Sequence, residues 1–424
     1  MVRAVKGTKD ILPEEMPRWQ LIESTARNIF ATFGFEEIRT PLFEETELFH
    51  RGIGEATDVV SKEMYTFPDR SGNSLTLRPE MTASVVRATI EHRLELYRNP
   101  LRLFYIGPMF RYERPQKGRY RQFHQIGAEV IGSDHPAIEA EAIEMLLLLL
   151  ERLQVRGSEL VINSIGCPSC RPDFLNLLRN AVSEKLERFC ADCRDRSSRN
   201  VLRVLDCKQE TCQEPIESLP AISDHLCEGC RSHFLQFRSW LEKRRVPYQV
   251  RSRLVRGLDY YEKTTFEISN GLLGAQNALA GGGRYDGLSA LLGGKPSKGF
   301  GFAMGMERLV LALPEEAVKE SSSTPELCLV PLGEKALEVA AGVASKIRQA
   351  GKGCYLEYEA RSLKAALRSA DRIRARWALI LGDNELQTGQ WVLKDLTAQT
   401  QRLITETELL EACASGAGKT QILF

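Results

Sequence analysis

The 424-residue sequence lacks any long apolar segment. Its longest uninterrupted apolar run spans only Met145–Leu150, far less than the roughly 20 residues that cross a bilayer. This run lies inside a helical pattern over 136–154, which predicts a buried helix. The first 19 residues, MVRAVKGTKDILPEEMPRW, are polar and carry acids, so they do not resemble a secretory or transit peptide. These features predict a cytoplasmic protein.

The sequence also lacks an excess of charge of either sign. Its 57 basic and 56 acidic side chains give a net charge of +1. No global field therefore attracts nucleic acid, and any site for a polyanion must come from a local patch. A composition of 43% hydrophobic and 27% charged residues is typical of a globular protein, and the length allows two to four domains.

Cysteine, by contrast, is abundant and unevenly placed. Eight of the 11 cysteines lie between Cys167 and Cys230, in three CxxC pairs and one Cx4C pair: Cys167/Cys170, Cys190/Cys193, Cys207/Cys212 and Cys227/Cys230. Two such pairs can form one tetrahedral zinc site, so eight thiolates could form two. Disulfides are rare in a reducing compartment. Structural zinc and free thiols on a helical insert both remain open, and residue order does not give the pairing.

The stretch 101–132 predicts a basic hairpin. Leu101–Phe110 and Gln122–Ile131 have strand character. Between them only Glu113 balances a set of cations: Arg111, Arg114, Lys117, Arg119 and Arg121. A turn this rich in guanidinium groups is typical of an anion site, and phosphate is the leading candidate.

Alternation along the second strand separates two faces. Gln125 and Glu129 share one face, and the apolar residues between them point to the other. A buried carboxylate needs a partner, and we expect Arg111 to lie near Glu129 across the hairpin. The alternative is an open face on which Gln125 and Glu129 are simply solvated.

Upstream of the hairpin, a predicted strand runs into Arg78-Pro79, and a helix begins near Glu80 and continues to His92. Glu80 and Thr82 lie at this strand-to-helix corner. Taken alone, both are best interpreted as helix caps.

Downstream, Leu254–Tyr261 is predicted to be strand-like and to continue at Phe266 after a turn at 263–265. Arg256 stands among apolar and aromatic residues, so it needs an anionic partner. An internal ion pair with Asp259 would satisfy it. The glycine-rich stretch Gly281–Gly287 predicts a turn.

Gly299–Leu313 predicts a strand running into a helix, with Arg308 at an apolar helix start. A buried guanidinium is costly unless paired. A phosphate at the helix start would satisfy Arg308, and a surface pair with Glu307 is the simpler alternative. The glycines do not fit a dinucleotide-binding fingerprint.

After a linker at 321–325, alternating strand and helix patterns predict a small α/β domain. Its second helix is predicted over 362–376. Cations recur at helical spacing along one face of this helix: Arg361, Lys364, Arg368, Arg372 and Arg376. This basic face could bind an RNA backbone, although such faces are more often merely solvated.

Together these stretches resemble the bacterial histidyl-tRNA synthetase family of class II aminoacyl-tRNA synthetases over essentially the full length. RYERPQKGRYRQFHQIGAEV is similar to its motif 2, LVRGLDYYEKTTFE to its histidine signature, and GFGFAMGMERLVL to motif 3. Residues 37–40 before Pro41 resemble the end of motif 1, which implies a homodimer.

The resemblance implies an α+β catalytic domain with an antiparallel sheet over residues 1–322, interrupted by a cysteine-bearing helical insert at about 163–250. It implies an α/β anticodon-binding domain over 327–424. The implied enzyme is a histidine–tRNA ligase that activates histidine with ATP and Mg²⁺ and transfers it to the 3′ end of tRNA(His).

The resemblance also assigns roles to individual residues. The catalytic arginines are Arg111, Arg256 and Arg308. ATP is bound by Arg111, Glu113, Arg119 and Arg308. Histidine is bound by Glu80, Thr82, Arg111, Gln125, Glu129, Arg256, Tyr260, Tyr261 and Tyr285. No metal-binding residue is assigned, since the Mg²⁺ would arrive with ATP.

Three alternatives stay open on the sequence alone. The first is a non-catalytic paralogue that regulates histidine biosynthesis, although such chains lack the C-terminal domain and signature residues. The second is a class II synthetase for another amino acid. The third is a zinc-dependent RNA-binding protein without catalysis, which would leave Arg111, Arg256 and Arg308 unexplained.

Overall fold

The chain forms two units, Met1–Glu320 and Ser321–Phe424, in a computed structural model that describes residues 2–55, 57–319, 326–359 and 362–414. The predicted linker at 321–325 and Arg361 lie outside the described residues. No helix in the described ranges is long and apolar enough to cross a membrane.

The helices of the first unit are α1 (Met16–Thr32), α2 (Thr46–Ile53), α3 (Thr82–His92), α4 (Pro136–Arg152), α5 (Arg171–Ser183), α6 (Ala191–Arg199), α7 (Glu210–Glu217), α8 (Glu228–Lys243), α9 (Leu288–Leu291), α10 (Met306–Ala312) and α11 (Glu315–Lys319). Its strands are β1 (Glu36–Glu37), β2 (Phe43–Glu45), β3 (Tyr65–Pro68), β4 (Ser74–Leu77), β5 (Leu101–Phe110), β6 (Gln122–Ile131), β7 (Ser158–Ser164), β8 (Gln249–Val250), β9 (Glu262–Asn270), β10 (Ala278–Arg284) and β11 (Gly299–Gly305). Short 3₁₀ segments lie at Leu94–Leu96, Leu186–Arg188, Val201–Asp206, Ile222–His225 and Gly271–Gln276, and a π-helical turn lies at Val59–Glu63.

In the described part of the chain, eight strands form one large sheet in the order β1-β5-β6-β11-β10-β9-β7-β8. The six inner strands pair antiparallel, and the short edge strands β1 and β8 pair parallel to their neighbours. This confirms the predicted antiparallel α+β fold. Strands β2, β4 and β3 form a separate small sheet.

The hairpin predicted over 101–132 is confirmed at its strand ends. Leu101 pairs with Ile131, and Phe110 pairs with Gln122. The apolar face of β6 (Ile126, Ala128 and Val130) packs in one core with α1 and α4. Glu129 points to the opposite face, as the alternation predicted.

Two local predictions are wrong. Residues 254–261 form an irregular segment rather than a strand, and the expected turn at 263–265 lies inside β9. Of the turn predicted over Gly281–Gly287, residues 286–287 do form a turn, but the glycines of 281–283 lie inside β10. These glycines allow side chains and neighbouring backbone to approach the sheet closely, which is a role that composition alone does not distinguish from a turn.

The cysteine-bearing insert connects two strands of the large sheet. Helices α5 to α8 lie between β7 and β8. Their apolar residues share a core with the cysteines and with Tyr260, Tyr261 and Tyr285 from the catalytic side. The insert therefore packs directly on the face of the sheet that carries Glu129.

The second unit contains β12 (Leu327–Pro331), α12 (Glu334–Gln349), β13 (Cys354–Leu356), α13 (Leu363–Arg372), β14 (Trp377–Leu381), α14 (Asp383–Thr388), β15 (Trp391–Asp395), β16 (Thr400–Ile404) and α15 (Glu406–Ala414). Its sheet order is β13-β12-β14-β15-β16. The alternating α/β pattern is confirmed, while α14, β16 and α15 were not predicted. Helix α13 buries Ala366 and Ala370 and exposes Lys364, Arg368 and Arg372.

Candidate active site

One cavity of about 620 Å³ opens on the face of the large sheet that carries Gln125. Strands β6, β9, β10 and β11 contribute to its walls, together with the irregular segment 255–261. The turn between β5 and β6 and the start of α10 close one end. This volume is within the range of sites that hold nucleotide-sized ligands.

Four arginines predicted to bind anions line this cavity: Arg111, Arg119, Arg256 and Arg308. Arg111 Nε donates to the Pro79 carbonyl at 2.8 Å, and its guanidinium stacks on the Phe123 ring at 5.3 Å. Its Nη1 lies 3.9 Å from Glu113 Oε1. These contacts fix the plane of the guanidinium, so its remaining donors are presented in a defined direction.

Arg308 lies at the opposite side of this basic end. Its Nη1 donates to the Ala278 carbonyl at 2.5 Å. Burial, and then the neighbouring charge of Arg119, lower the pKa of Arg308. Arg119 itself pairs with Glu113. Cations held this close favour the arrival of an anion between them.

The alternative of a surface pair between Glu307 and Arg308 is wrong. Glu307 instead accepts from the backbone N–H of His124 at 2.8 Å and contacts its Nδ1 at 3.1 Å. Glu307 thereby ties the start of α10 to β6.

Arg256 has an anionic partner, but Asp259 is the wrong one. Arg256 Nη1 donates to Glu267 Oε2 at 2.8 Å, while Asp259 accepts from Asn200 Nδ2 at 2.8 Å. A Cβ at Gly281 would lie 2.1 Å from Arg256 Nη2. The guanidinium therefore lies flat on β10 where only glycine leaves space.

Glu80 and Thr82, the two polar residues at the start of α3, have different roles. Glu80 accepts from the backbone N–H groups of Thr82 and Ala83 at 2.7 and 2.9 Å, which confirms the capping interpretation for Glu80. The capping interpretation is wrong for Thr82, because its hydroxyl donates to Glu129 Oε1 at 2.7 Å. Burial raises the pKa of Glu80, and the two amide hydrogen bonds oppose that rise.

Glu129 is fully buried and held by hydroxyl groups. Tyr285 donates to Oε2 at 2.6 Å, and Tyr105 donates to Oε1 at 3.3 Å alongside Thr82. Burial raises the pKa of Glu129 to about 8, although the hydrogen bonds from Tyr285 and Thr82 oppose the rise. A Cβ at Gly301 would lie 1.7 Å from Glu129 Oε2, so the neighbouring strand needs glycine there.

The expected proximity of Arg111 and Glu129 is wrong, and so is the solvated alternative. Glu129 pairs with Leu103 in the sheet, whereas Arg111 follows Phe110. Eight positions separate Leu103 from Arg111, or roughly 26 Å of backbone at about 3.3 Å per residue. Arg111 lies near Glu80 instead, and its charge opposes the rise in the Glu80 pKa.

The tyrosines form the wall between the two ends. Tyr260 and Tyr261 line the cavity with ring centroids 4.7 Å apart, and Tyr285 lies behind them, 5.9 Å from Tyr260. The Tyr260 hydroxyl lies 3.5 Å from Glu80 Oε2. Burial raises the pKa of Tyr261 to about 12, against the nearby charge of Arg256.

Gln125 lines the cavity, and within the described residues its Oε1 is buried without a hydrogen-bond partner. An unpaired buried acceptor is costly and commonly marks a place where a ligand or water binds. Gln125 thus supplies an open acceptor between the basic end and the tyrosines.

Sequence reasoning missed four contributors. Tyr105 was visible as an aromatic residue on the strand opposite Glu129, but its burial was not. Glu267 lies in β9 and pairs with Arg256. Arg203 and Lys208 come from the insert and reach the cavity wall. Nothing in the sequence pattern indicated that the insert would touch the site.

The eight insert cysteines form two groups. The first cysteine cluster contains Cys167, Cys170, Cys227 and Cys230, and the second contains Cys190, Cys193, Cys207 and Cys212. Within each cluster the sulfurs all lie within 4.8 Å of one another, and all eight are free of disulfides. Cys207 also lines the cavity.

Comparisons with known proteins agree on one family. A family model described as histidyl-tRNA synthetase matches residues 7–309, and one described as an anticodon binding domain matches 326–415. The chain is 49% identical over 410 residues to the histidine–tRNA ligase of Solibacter usitatus, covering 96% of this chain and 98% of the relative. It is 48% identical over 401 residues to that of Geobacter metallireducens, covering 95% and 96%. The apo structure of S. aureus histidyl-tRNA synthetase superimposes with a TM-score of 0.81 at 35% identity, covering 97% of this chain and 99% of that one.

Proposed function

The chain belongs to the histidyl-tRNA synthetase family, and we propose that its cavity joins histidine to ATP through the residues described above. The chain is a histidine–tRNA ligase, an ATP-dependent class II aminoacyl-tRNA synthetase. The observation that carries the residue-level proposal is the meeting of four arginines with Glu80, Thr82 and Gln125 in one cavity.

The basic end holds ATP. Arg111 contacts the α-phosphate and the histidine carboxylate, Arg308 holds the γ-phosphate, and Arg119 assists it. Glu113, which pairs with Arg119, contacts the adenine. Guanidinium forks match phosphate oxygens in pairs, and the stacking of Arg111 on Phe123 fixes its direction beforehand.

The other end holds histidine. Glu80, Thr82 and Gln125 receive the α-amino group, because they offer acceptor oxygens on the cavity wall. Glu129 and Tyr261 read the imidazole, and Tyr260 and Tyr285 complete the pocket. Glu129 lies behind Thr82, so its hydrogen bond to Thr82 is rearranged when the imidazole reaches it. A buried polar group left unpaired rejects side chains without a matching N–H.

The chemical step needs alignment more than acid–base catalysis. A histidine carboxylate oxygen attacks the α-phosphorus, a new P–O bond forms, and the bond to the β-phosphate oxygen breaks to release pyrophosphate. Arg111 and Arg256 lie where charge increases on the α-phosphoryl oxygens. The terminal adenosine hydroxyl of tRNA(His) then attacks the carbonyl carbon, and AMP leaves.

Mg²⁺ would enter with ATP, because it binds mainly to phosphate oxygens and water and needs few protein ligands. The carboxylate of Glu267 lines the cavity and would offer an oxygen ligand of the kind that such an ion prefers. When bound, Mg²⁺ neutralises phosphate charge. The basic end supplies the remaining cations.

Several further assignments follow the family. Residues 1–322 would form the catalytic domain with the insert at about 163–250, and residues 327–424 the anticodon-binding domain. Lys364, Arg368 and Arg372 present a basic face that suits the tRNA backbone. The enzyme would act as a cytoplasmic homodimer.

The test is amino-acid-dependent exchange of pyrophosphate into ATP. Histidine should support exchange, while the other 19 amino acids, assayed one at a time, should not. Exchange with a different amino acid alone would overturn the proposal. No exchange with any amino acid would favour the regulatory paralogue, for which the comparisons give no support.

A further inference from the structure

We propose that the insert binds two structural zinc ions, one in each cysteine cluster. The first evidence is the spacing of the sulfurs. Cys167 Sγ lies 3.8 Å from the Sγ atoms of Cys170 and Cys227, and Cys170 Sγ lies 3.9 Å from that of Cys230. In the second cluster, Cys190 Sγ lies 3.9 Å from Cys207 Sγ. Zn–S bonds of about 2.3 Å in a tetrahedron place sulfurs about 3.8 Å apart.

This spacing favours a single tetrahedral metal ion over a disulfide and over an iron–sulfur cage. A disulfide requires sulfurs about 2.05 Å apart, so these thiols are too distant to be oxidised without movement. All sulfurs in a cluster lie within 4.8 Å, which leaves room for a single ion but not for an iron–sulfur cage. Tetrahedral sites with four thiolates are typical of Zn²⁺.

The backbone around the cysteines also fits metal ligands. Cys167 N–H donates to Cys170 Sγ at 3.3 Å, and Cys190 N–H donates to Cys212 Sγ at 3.2 Å. Such bonds stabilise negative charge on the sulfurs. At Gly166 a Cβ would lie 2.9 Å from Cys170 Sγ, so the first cluster needs glycine before it.

The position of the clusters in the insert also favours structural metal. The clusters bring together the starts of α5 and α8 in one case, and α6 with α7 in the other. Helices α6 and α7 have only 9 and 8 residues, and the cysteines lie in the core of the insert beside apolar residues such as Phe174 and Val204. A small helical segment of this kind is commonly stabilised by structural metal.

Between the cysteines of each cluster, the chain carries a residue that holds the histidine-signature segment 254–261. Arg171, next to Cys170, donates from Nη2 to the Tyr261 carbonyl at 2.6 Å. Asn200, between α6 and the segment that leads to Cys207, donates to Asp259 at 2.8 Å. The two ions would therefore position Arg171 and Asn200 and, through them, Tyr261 and the rest of the segment.

Metal content tests the proposal without reference to catalysis. Elemental analysis of the purified full-length enzyme should find two zinc ions per chain. X-ray absorption should show only sulfur neighbours at about 2.3 Å. Fewer than two metal ions, stoichiometric iron, or nitrogen or oxygen in the first shell would overturn it.

Two variants that each replace four cysteines with serine test the pairing. Replacing Cys167, Cys170, Cys227 and Cys230 removes the whole first cluster and should leave one zinc. Replacing Cys167, Cys170, Cys190 and Cys193 breaks both clusters and should leave none. The reverse result would overturn the pairing. The first variant could also lose both ions because the insert unfolds. In that case the zinc content of the wild type and the sulfur neighbours seen by X-ray absorption still test whether two zinc ions are bound.

The control is Cys328→Ser with Cys354→Ser, which removes two buried cysteines of the second unit and should keep both ions. Zinc loss in this control would overturn the assignment to the insert. Hydrogen exchange tests the positioning role, because chelation should accelerate exchange at 254–261 and leave α12 unchanged. Equal exchange with and without zinc would remove that role.

Discussion

The two ends of the cavity differ in charge and in burial, and each difference suits the ligand proposed for that end. At the basic end, Arg111, Arg119 and Arg308 are partly exposed and are held by Glu113 or by backbone carbonyls. Behind Thr82 at the other end, Glu129 is fully buried among hydroxyls, and burial raises its pKa to about 8. The phosphates of ATP are attracted by the positive charges of the arginines. The imidazole of histidine is selected by a site that excludes water and offers few hydrogen-bond partners.

Arg256 lies between the two ends and should show the largest effect. We expect Arg256→His to lower the rate of histidine-dependent ATP–pyrophosphate exchange about 1,000-fold, since an electrostatic contact to the transition state is lost. The fold should persist, because Glu267 is only partly buried and can be solvated.

The matched control is Arg251→His, which replaces an exposed arginine five positions earlier in the chain. It should retain wild-type exchange. Near-normal exchange by Arg256→His would remove Arg256 from the catalytic set and leave the basic end to act alone.

Glu129→Gln should separate the two ends kinetically. The substitution keeps the shape but changes the hydrogen bonding offered to the imidazole, so we expect the histidine KM to rise roughly 10- to 100-fold. The ATP KM should change less than about 3-fold, because Arg111 lies far along the hairpin. Exchange assays with each substrate varied in turn measure both values.

Glu159→Gln is the control, because Glu159 is an exposed glutamate on β7, which is separated from β6 by three strands of the same sheet. It should leave both KM values unchanged. A parallel rise of both KM values in Glu129→Gln would show that the two ends are not independent.

The last expected effect concerns stability rather than catalysis. The pKa of Glu129 rises from its ordinary value of about 4.5 to about 8 on folding, so the folded state binds the proton more tightly. Its contribution to stability is present below about pH 4.5 and is lost as pH rises toward 8. Relative to Glu129→Gln, the free energy of unfolding of the wild type should fall by roughly 2–5 kcal/mol across that window.

Urea unfolding of both proteins at several pH values measures this difference. Subtracting the variant removes the contribution of other groups with raised pKa, such as Glu80 and Glu63. A difference that stays constant with pH would mean that Glu129 is ionised in the folded protein.

Prediction from the sequence succeeded where the pattern is local and failed where side chains meet across elements. The hairpin ends at Phe110 and Gln122 followed from strand composition. The partner of Arg256 did not, because Asp259 is near in sequence while Glu267 is near in space. The glycines of 281–283 suggested a turn, because the sequence pattern does not show that Arg256 packs closely against Gly281.

The sequence by itself determined the antiparallel core, the alternating second unit and the face on which Glu129 lies, because periodicity fixes which side chains share a surface. It also supplied the arginines of the basic end. Only the tertiary structure decided that Arg111 and Glu129 lie at opposite ends of one site, that Glu129 is sealed by three hydroxyls, and that the cysteines form two clusters. Those outcomes depend on burial and on contacts between segments far apart in the chain, which no local pattern encodes.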